Sequence, residues 1–280
     1  MTNRKFTTRA IRPALLTLLS VVVLLLSSVP LAQASAKDRS AGAKPTVVLV
    51  HGAWANGSSW NGVVARLQRD GYTVDVPPNP LRGVASDSAY LASYLKTVTG
   101  PIILAGHSYG GMVITNAATG NPAVKALVYV DAFIPAQGET LLQLAGAKPG
   151  SSLADPTKAF NSVPFTGPAG PDTDLYVKPS AYRQDFGADL SVQQDAILAA
   201  TQEPLAASAL QEPSGPPAWK TIRSFALIGT EDMVLPPAEQ VFMAARAHAA
   251  VVKIKASHLG LISHPNAVAQ LIERAATATG

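Results

Sequence analysis

Thr46-Val-Val-Leu-Val50 is an unbroken apolar run, rich in β-branched residues, that ends at His51-Gly52. Such a run suits a strand covered on both faces. Shorter runs of the same kind recur at Tyr72 to Val76, Pro101 to Ala105, Ala126 to Val130, Ser224 to Ile228 and Val251 to Lys255. Between them lie segments whose apolar residues are spaced for helices. These are Ser59 to Asp70, Ser86 to Val98, Met112 to Ala118, Pro237 to Ala247 and Pro265 to Ala276. Strand and helix alternate, which predicts an α/β fold: a mostly parallel, doubly wound sheet of about six strands with helices on both faces.

One stretch breaks this rhythm. From Phe133 to about Trp219 no strand is evident, and prolines and glycines separate helix-like pieces at Val192 to Thr201 and Leu205 to Gln211. Its Leu, Phe, Tyr and Ala content fits a packed, helical lid inserted at about residues 133–219 better than a linker. No internal repeat or heptad pattern interrupts the rest of the chain.

The first 34 residues read as an export signal. Arg4, Lys5, Arg9 and Arg12 precede a largely apolar run from Ala14 to Leu26, and Ala32-Gln33-Ala34 offers a small-residue cleavage site. The run is shorter than the ~20 residues a membrane span needs. The expected product is therefore secreted, with residues 35–280 forming one domain and with no membrane association after cleavage. This changes the reading of charge. The formal net charge is +4, and the signal carries four basic residues and no acid, so the mature chain is near neutrality and gives no support for nucleic-acid binding. There is no cysteine, so the exported domain relies on its core and not on disulfides.

Sheets of this type bind ligands at the carboxyl ends of their strands. Four candidates stand there. They are His51-Gly52-Ala53-Trp54 after the first strand, Ser108 within Gly106-His107-Ser108-Tyr109-Gly110-Gly111, Asp232 after the strand Ser224 to Ile228, and His258 in Lys255-Ala-Ser-His-Leu259. The glycine-flanked serine between a strand and a helix has the form of a nucleophile elbow, and the order Ser, Asp, His is that expected on this topology. Each residue answers a need. A serine hydroxyl is a poor nucleophile until an imidazole takes its proton, and a carboxylate must orient that imidazole and stabilise its cation. The backbone N–H groups of Ala53 and Tyr109 are the candidate donors for the oxyanion. No cofactor is called for: the histidines lack metal-ligand spacing, and neither a dinucleotide fingerprint nor a P-loop occurs.

These stretches together resemble the α/β-hydrolase superfamily, and within it the small lidded group of plant methylesterases, hydroxynitrile lyases and bacterial serine esterases. The resemblance runs from Val47 to about Pro135 and from Phe225 to Ile272, and is less specific in the lid. It implies a serine hydrolase acting on a small or medium carboxylic ester, with Ser108 as nucleophile, His258 as base and Asp232 as acid. Rival positions stay open. His264 is close to His258 but reads as a helix start, ahead of Pro265. Asp131 ends the strand Ala126 to Val130, where some superfamily members carry their acid, and Glu231 adjoins Asp232. His51 and His107 read as structural, and His248 as a surface helix residue. Trp54 and Trp60 suit core packing or the pocket mouth, and Asn56-Gly57-Ser58 matches a short glycosylation pattern.

Two other functions share this frame. A lyase of the hydroxynitrile type would carry a threonine and a lysine where this chain has Gly52 and Leu259. A non-catalytic ligand-binding protein could keep the same fold. Ser108 itself argues against the epoxide hydrolases and haloalkane dehalogenases, which place aspartate at the elbow. Phe133, Phe160, Phe165, Tyr176, Tyr182 and Phe186 are the candidate pocket aromatics of the lid, and the oligomeric state is left open by the sequence.

Overall fold

A computed structural model describes residues 44–154, 156–167 and 170–280. The export signal expected at residues 1–34, and the stretch that follows it, lie outside the described residues. Six strands form one parallel sheet: β1 (Thr46–Val50), β2 (Val74–Asp75), β3 (Ile102–His107), β4 (Val124–Val130) and, beyond the insertion, two that pair in the order given below.

The insertion contributes β5 (Phe160–Gly167), β6 (Gly170–Val177) and β7 (Leu205–Ala206), after which β8 (Arg223–Gly229) and β9 (Ala250–Ile254) complete the main sheet in the order β2-β1-β3-β4-β8-β9. The chain steps outward from β1 to β2 and then back past β1 to β3. Right-handed crossovers therefore put helix Asn61–Arg69 on one face and helix Val84–Leu95 on the other. Helix Asn61–Arg69 packs with the last helix, Pro265–Thr279, while Val84–Leu95 packs with Gly110–Ala117.

Burial follows the pattern read from the sequence. Val47, Val48 and Leu49 of β1, Ile102 to Ala105 of β3, and Leu127 and Val128 of β4 have no exposed surface. Each such Val, Leu or Ile side chain contributes about 1.5–3 kcal/mol by leaving water. The edges differ. β9 alternates half-buried and exposed residues, and β2 is two residues long where the sequence predicts five. β2 pairs only with β1, and Pro77 and Pro78, which lack an N–H, follow one residue after it ends.

The insertion holds the main departure from expectation. Its β5, β6 and β7 form a three-stranded antiparallel sheet where no strand was predicted, alongside helices that include Leu141–Gly146 and Val192–Ala200. Pro164 sits inside β5 opposite Thr173 and is tolerated because β5 is an edge strand. Only the first residue of β5 is buried, so its sequence shows no alternation. The segment Leu205 to Gln211, expected to be helical, is the short β7 followed by a 3-10 turn at Ala207–Leu210. The helix near Val192 is present and begins with a reciprocal Ser191/Gln194 capping box.

Candidate active site

β3 ends at His107, and the chain turns at Ser108 into helix Gly110–Ala117. Ser108 takes a left-handed backbone (φ 51°), uncommon for a residue with a side chain. The turn is possible because its neighbours are glycines. A Cβ on Gly106 would stand 2.6 Å from the Gly110 carbonyl oxygen, and one on Gly110 would stand 2.6 Å from that of Val50. The result holds Ser108 Oγ at the carboxyl end of the sheet, between the loops that follow β1, β8 and β9.

His258 and Asp232 meet it there. His258 Nε2 lies 2.8 Å from Ser108 Oγ, and His258 Nδ1 lies 2.8 Å from Asp232 Oδ2. Asp232 is held from all sides: Oδ1 accepts from the N–H groups of Val234 and Leu235 at 2.8 and 2.9 Å, and Oδ2 accepts from Gln240 Nε2 at 2.8 Å. A carboxylate with these donors stays an acceptor, so His258 Nδ1 carries the proton and Nε2 is left to receive one from the serine. All three side chains are buried, Ser108 being 3% exposed. Gln240, which went unread in the sequence, also donates to the Leu235 carbonyl. Its only signal was a polar residue on the inner side of a helix that starts just after the acid loop.

The oxyanion candidates are placed by the same turns. Tyr109 begins the elbow helix, and Gly52 lies so close that a Cβ on it would stand 2.8 Å from the Cβ of Ser108, bringing Ala53 alongside. Among the described residues, neither the Ala53 nor the Tyr109 N–H donates to another group. Tyr109 is fixed from its far end: its hydroxyl donates to Asp87 Oδ2 at 2.9 Å. Burial and the adjacent Asp87 push that phenol well above its ordinary pKa, which keeps it a donor.

The other histidines take different places. His51 Nδ1–H donates to the Gly52 carbonyl and Nε2 accepts from the Asn79 N–H at 3.1 Å, while Asn79 Nδ2 donates to the His51 carbonyl. His107 Nε2–H donates to the His258 carbonyl at 2.9 Å. Burial lowers the pKa of both, that of His107 strongly, so each is a neutral brace. His264 caps the last helix and bonds Ser263 Oγ, and exposed His248 lies just past helix Pro237–Arg246 rather than within it. Asp131 is buried beside Asp232 but holds no bond to His258, and Glu231 faces Lys255 at 3.5 Å.

The lid closes over this group. The Phe186 ring stands edge-on to His258 with centroids 5.5 Å apart, and Trp54 contacts both Phe160 and Phe186. Trp54 Nε1 donates to the Leu175 carbonyl of β6, and the Tyr182 hydroxyl donates to the Trp54 carbonyl, so Trp54 fastens the lid to the oxyanion loop. Trp60 is a fully buried core residue. A cavity of about 790 Å³ opens nearby between Phe165 and Pro171 of the lid hairpin and Pro80, Arg82 and Asp87 of the body; Ser108, Asp232 and His258 are not among its walls.

A family model described as alpha/beta hydrolase matches residues 47–271, spanning the sheet, the elbow and the lid. The chain belongs to the alpha/beta hydrolase family. It is 37% identical over 110 residues to the carbendazim hydrolyzing esterase of Nocardioides sp. (strain SG-4G), a match that covers 35% of this chain and 46% of that protein. It therefore spans just under half the length of that relative. It is 26% identical over 255 residues to the alpha/beta hydrolase nvfD of Aspergillus novofumigatus, covering 83% of this chain and 97% of that one. Among solved structures, polyneuridine aldehyde esterase superposes with a TM-score of 0.72 at 19% identity, over 82% of this chain and 98% of its own, which is a likeness of fold. In this alpha/beta hydrolase the matched residues take in five of the six strands of the main sheet whole, all but the first residue of β1, and the turn at Ser108.

Proposed function

We propose that the chain is an exported, cofactor-independent serine hydrolase that cleaves small or medium carboxylic esters through an acyl-enzyme on Ser108. The observation that carries this reading is the unbroken relay from Ser108 Oγ through His258 to Asp232, with both contacts at 2.8 Å. Ser108 Oγ attacks the acyl carbon as its proton passes to His258 Nε2. The oxyanion that forms is met by the N–H groups of Ala53 and Tyr109. His258 then protonates the departing alkoxide, and a water activated by the same imidazole releases the acid. The esterase that matches part of the chain supports an ester over other acyl substrates. Export is supported by the basic start, the apolar run and Ala32-Gln33-Ala34.

The test is hydrolysis of nitrophenyl esters of increasing acyl length, with fluorophosphonate labelling beside it. Ser108→Ala is expected to lower kcat by at least about 10⁴-fold and to abolish labelling while the far-ultraviolet spectrum is unchanged. Activity of the alanine variant within about tenfold of the parent would overturn the assignment.

A further inference from the structure

Asp131 is a buried acid, next to the relay, that the relay leaves unused. It follows β4 directly and has no exposed surface, and its backbone is left-handed (φ 46°). Its N–H donates to the Leu227 carbonyl of β8 at 2.9 Å, and its Oδ1 accepts from the Gly229 N–H at 2.6 Å. Oδ2 lies against Gly260, whose N–H bears on the carboxyl, without a bond of full hydrogen-bond geometry. Both oxygens occupy room that glycine leaves: a Cβ on Gly229 would stand 3.0 Å from Oδ1, and one on Gly260 would stand 2.6 Å from Oδ2. Gly229 starts the loop that carries Asp232, and Gly260 lies two residues after His258. The carboxyl is thus wedged between the acid loop and the base loop, which also join through Thr230 N–H to the Ile254 carbonyl and Glu231 N–H to that of Ala256.

Its charged surroundings oppose ionisation. Asp232, from the acid loop, is the charged group that bears on it most, and Asp189, from the lid, adds more weakly in the same sense. His258, on the base loop, donates its Nδ1–H hydrogen bond to Asp232. Burial first and Asp232 second push the Asp131 carboxyl well above the usual carboxylate range, against the Gly229 and Gly260 N–H groups, which act in the opposite sense. Asp232, by contrast, accepts from four donors, the Val234 and Leu235 N–H groups, Gln240 and His258.

We propose that Asp131 is a positioning residue that stands as a neutral carboxylic acid, with its carbonyl oxygen accepting from the Gly229 N–H and its second oxygen facing the Gly260 N–H. In this form it sets the acid loop against the base loop without a second negative charge beside the relay. The positioning role rests on the reading of Ser108, His258 and Asp232 as the catalytic relay; the charge state does not.

Asp131→Asn replaces one neutral planar group by another, so it is the decisive variant. It is expected to keep kcat within about threefold of the parent and to leave the acid limb of the kcat/KM profile in place. An ionised Asp131 predicts the reverse, because its loss would remove a negative charge near the imidazolium and move that limb down by about one pH unit. Such a shift would overturn the proposal. Asp131→Ala strands the Gly229 N–H and is expected to lower kcat about tenfold or more with KM little changed, a loss that asparagine rescues. Parent-like kcat in the alanine variant would refute the positioning role. Since the alanine variant can fail to fold, the charge is also read directly: carbon-13 spectra of aspartate-labelled protein, assigned with Asp131→Asn, should show a protonated carboxyl at pH 7. A carboxylate resonance there would overturn the proposal without touching the serine reading, and parent-like activity of Ser108→Ala would overturn the serine reading without touching the charge of Asp131.

Discussion

In β1 and β3 nearly every residue is buried between parallel neighbours, whereas in the lid strand β5 only Phe160 is. The relay hangs from the first kind of structure. Ser108, Asp232 and His258 each follow a strand whose main chain is paired residue by residue with its neighbours, so their spacing is set by sheet geometry. The lid is attached by individual bonds, mostly from side chains, among them Trp54 to Leu175, Tyr182 to Trp54, Arg82 to Asp174 and Ser257 to the Phe186 carbonyl, with single main-chain bonds such as Ala206 N–H to Leu81. One region fixes where the atoms are, and the other covers them. Changes in the first should therefore strike kcat, and changes in the second should strike selection of substrate.

The hardest blow to that division would come from the acid. Asp232→Asn keeps the size of the side chain but places an amide where His258 Nδ1 needs an acceptor, and the competing tautomer leaves Nε2 unable to take the serine proton. A fall in kcat of about 10⁴-fold is expected, with stability little altered by comparison. Stopped-flow hydrolysis of a nitrophenyl ester reads it. A loss of only a few fold would mean that sheet geometry does not set the relay, and the division would fail.

The same division explains what could be read from the chain alone. Thr46 to Val50 and Ser224 to Ile228 are continuous apolar runs because both faces of their strands are covered, so their positions were legible, and with them the residues that follow. The elbow was legible because close approach admits only glycine at Gly106 and Gly110. The lid hairpin was not. β5 and β6 are joined to each other by backbone bonds, β5 exposes most of its side chains and β6 leaves most of its own half-buried, so neither hydrophobic period nor strand propensity marks them, and Pro164 and Pro171 point the other way. Gln240 and Asn79 escaped for a different reason. Their roles depend on which loop lies across from them, and that is a property of the topology.

The lid's side of the comparison is sharpened at Phe186, whose ring edge meets His258 and whose carbonyl takes a hydrogen bond from Ser257. Phe186→Ala leaves every bond of the relay in place and opens space above it. It is expected to change the preference among acyl chain lengths by about tenfold in kcat/KM while Ser108 still labels with a fluorophosphonate. A uniform fall across all chain lengths would show that the lid holds His258 itself and does more than shape the pocket.

The smallest effect is expected where the lid joins the body. Glu139 accepts from Arg246 Nη1 and Nη2 at 2.6 and 2.7 Å and from the Ala136 N–H at 2.8 Å, while its own carbonyl accepts from Ser214 N–H across the neck of the lid. Burial alone would raise the Glu139 carboxyl, but the bonds from Arg246 and Ala136 overcome it and hold the group below its usual range. A folded-state value below the unfolded one gives stability that is present at neutral pH and lost as pH falls through the depressed value. Both side chains keep about a quarter of their surface exposed, so solvent screening limits the pair to about 1 kcal/mol. Glu139→Gln should therefore be less stable than the parent by about that amount in urea at pH 7, and the gap should close as pH falls to about 3. Parallel curves over the whole range would show that the carboxylate adds nothing at the neck, and that the other bonds between lid and body hold it unaided.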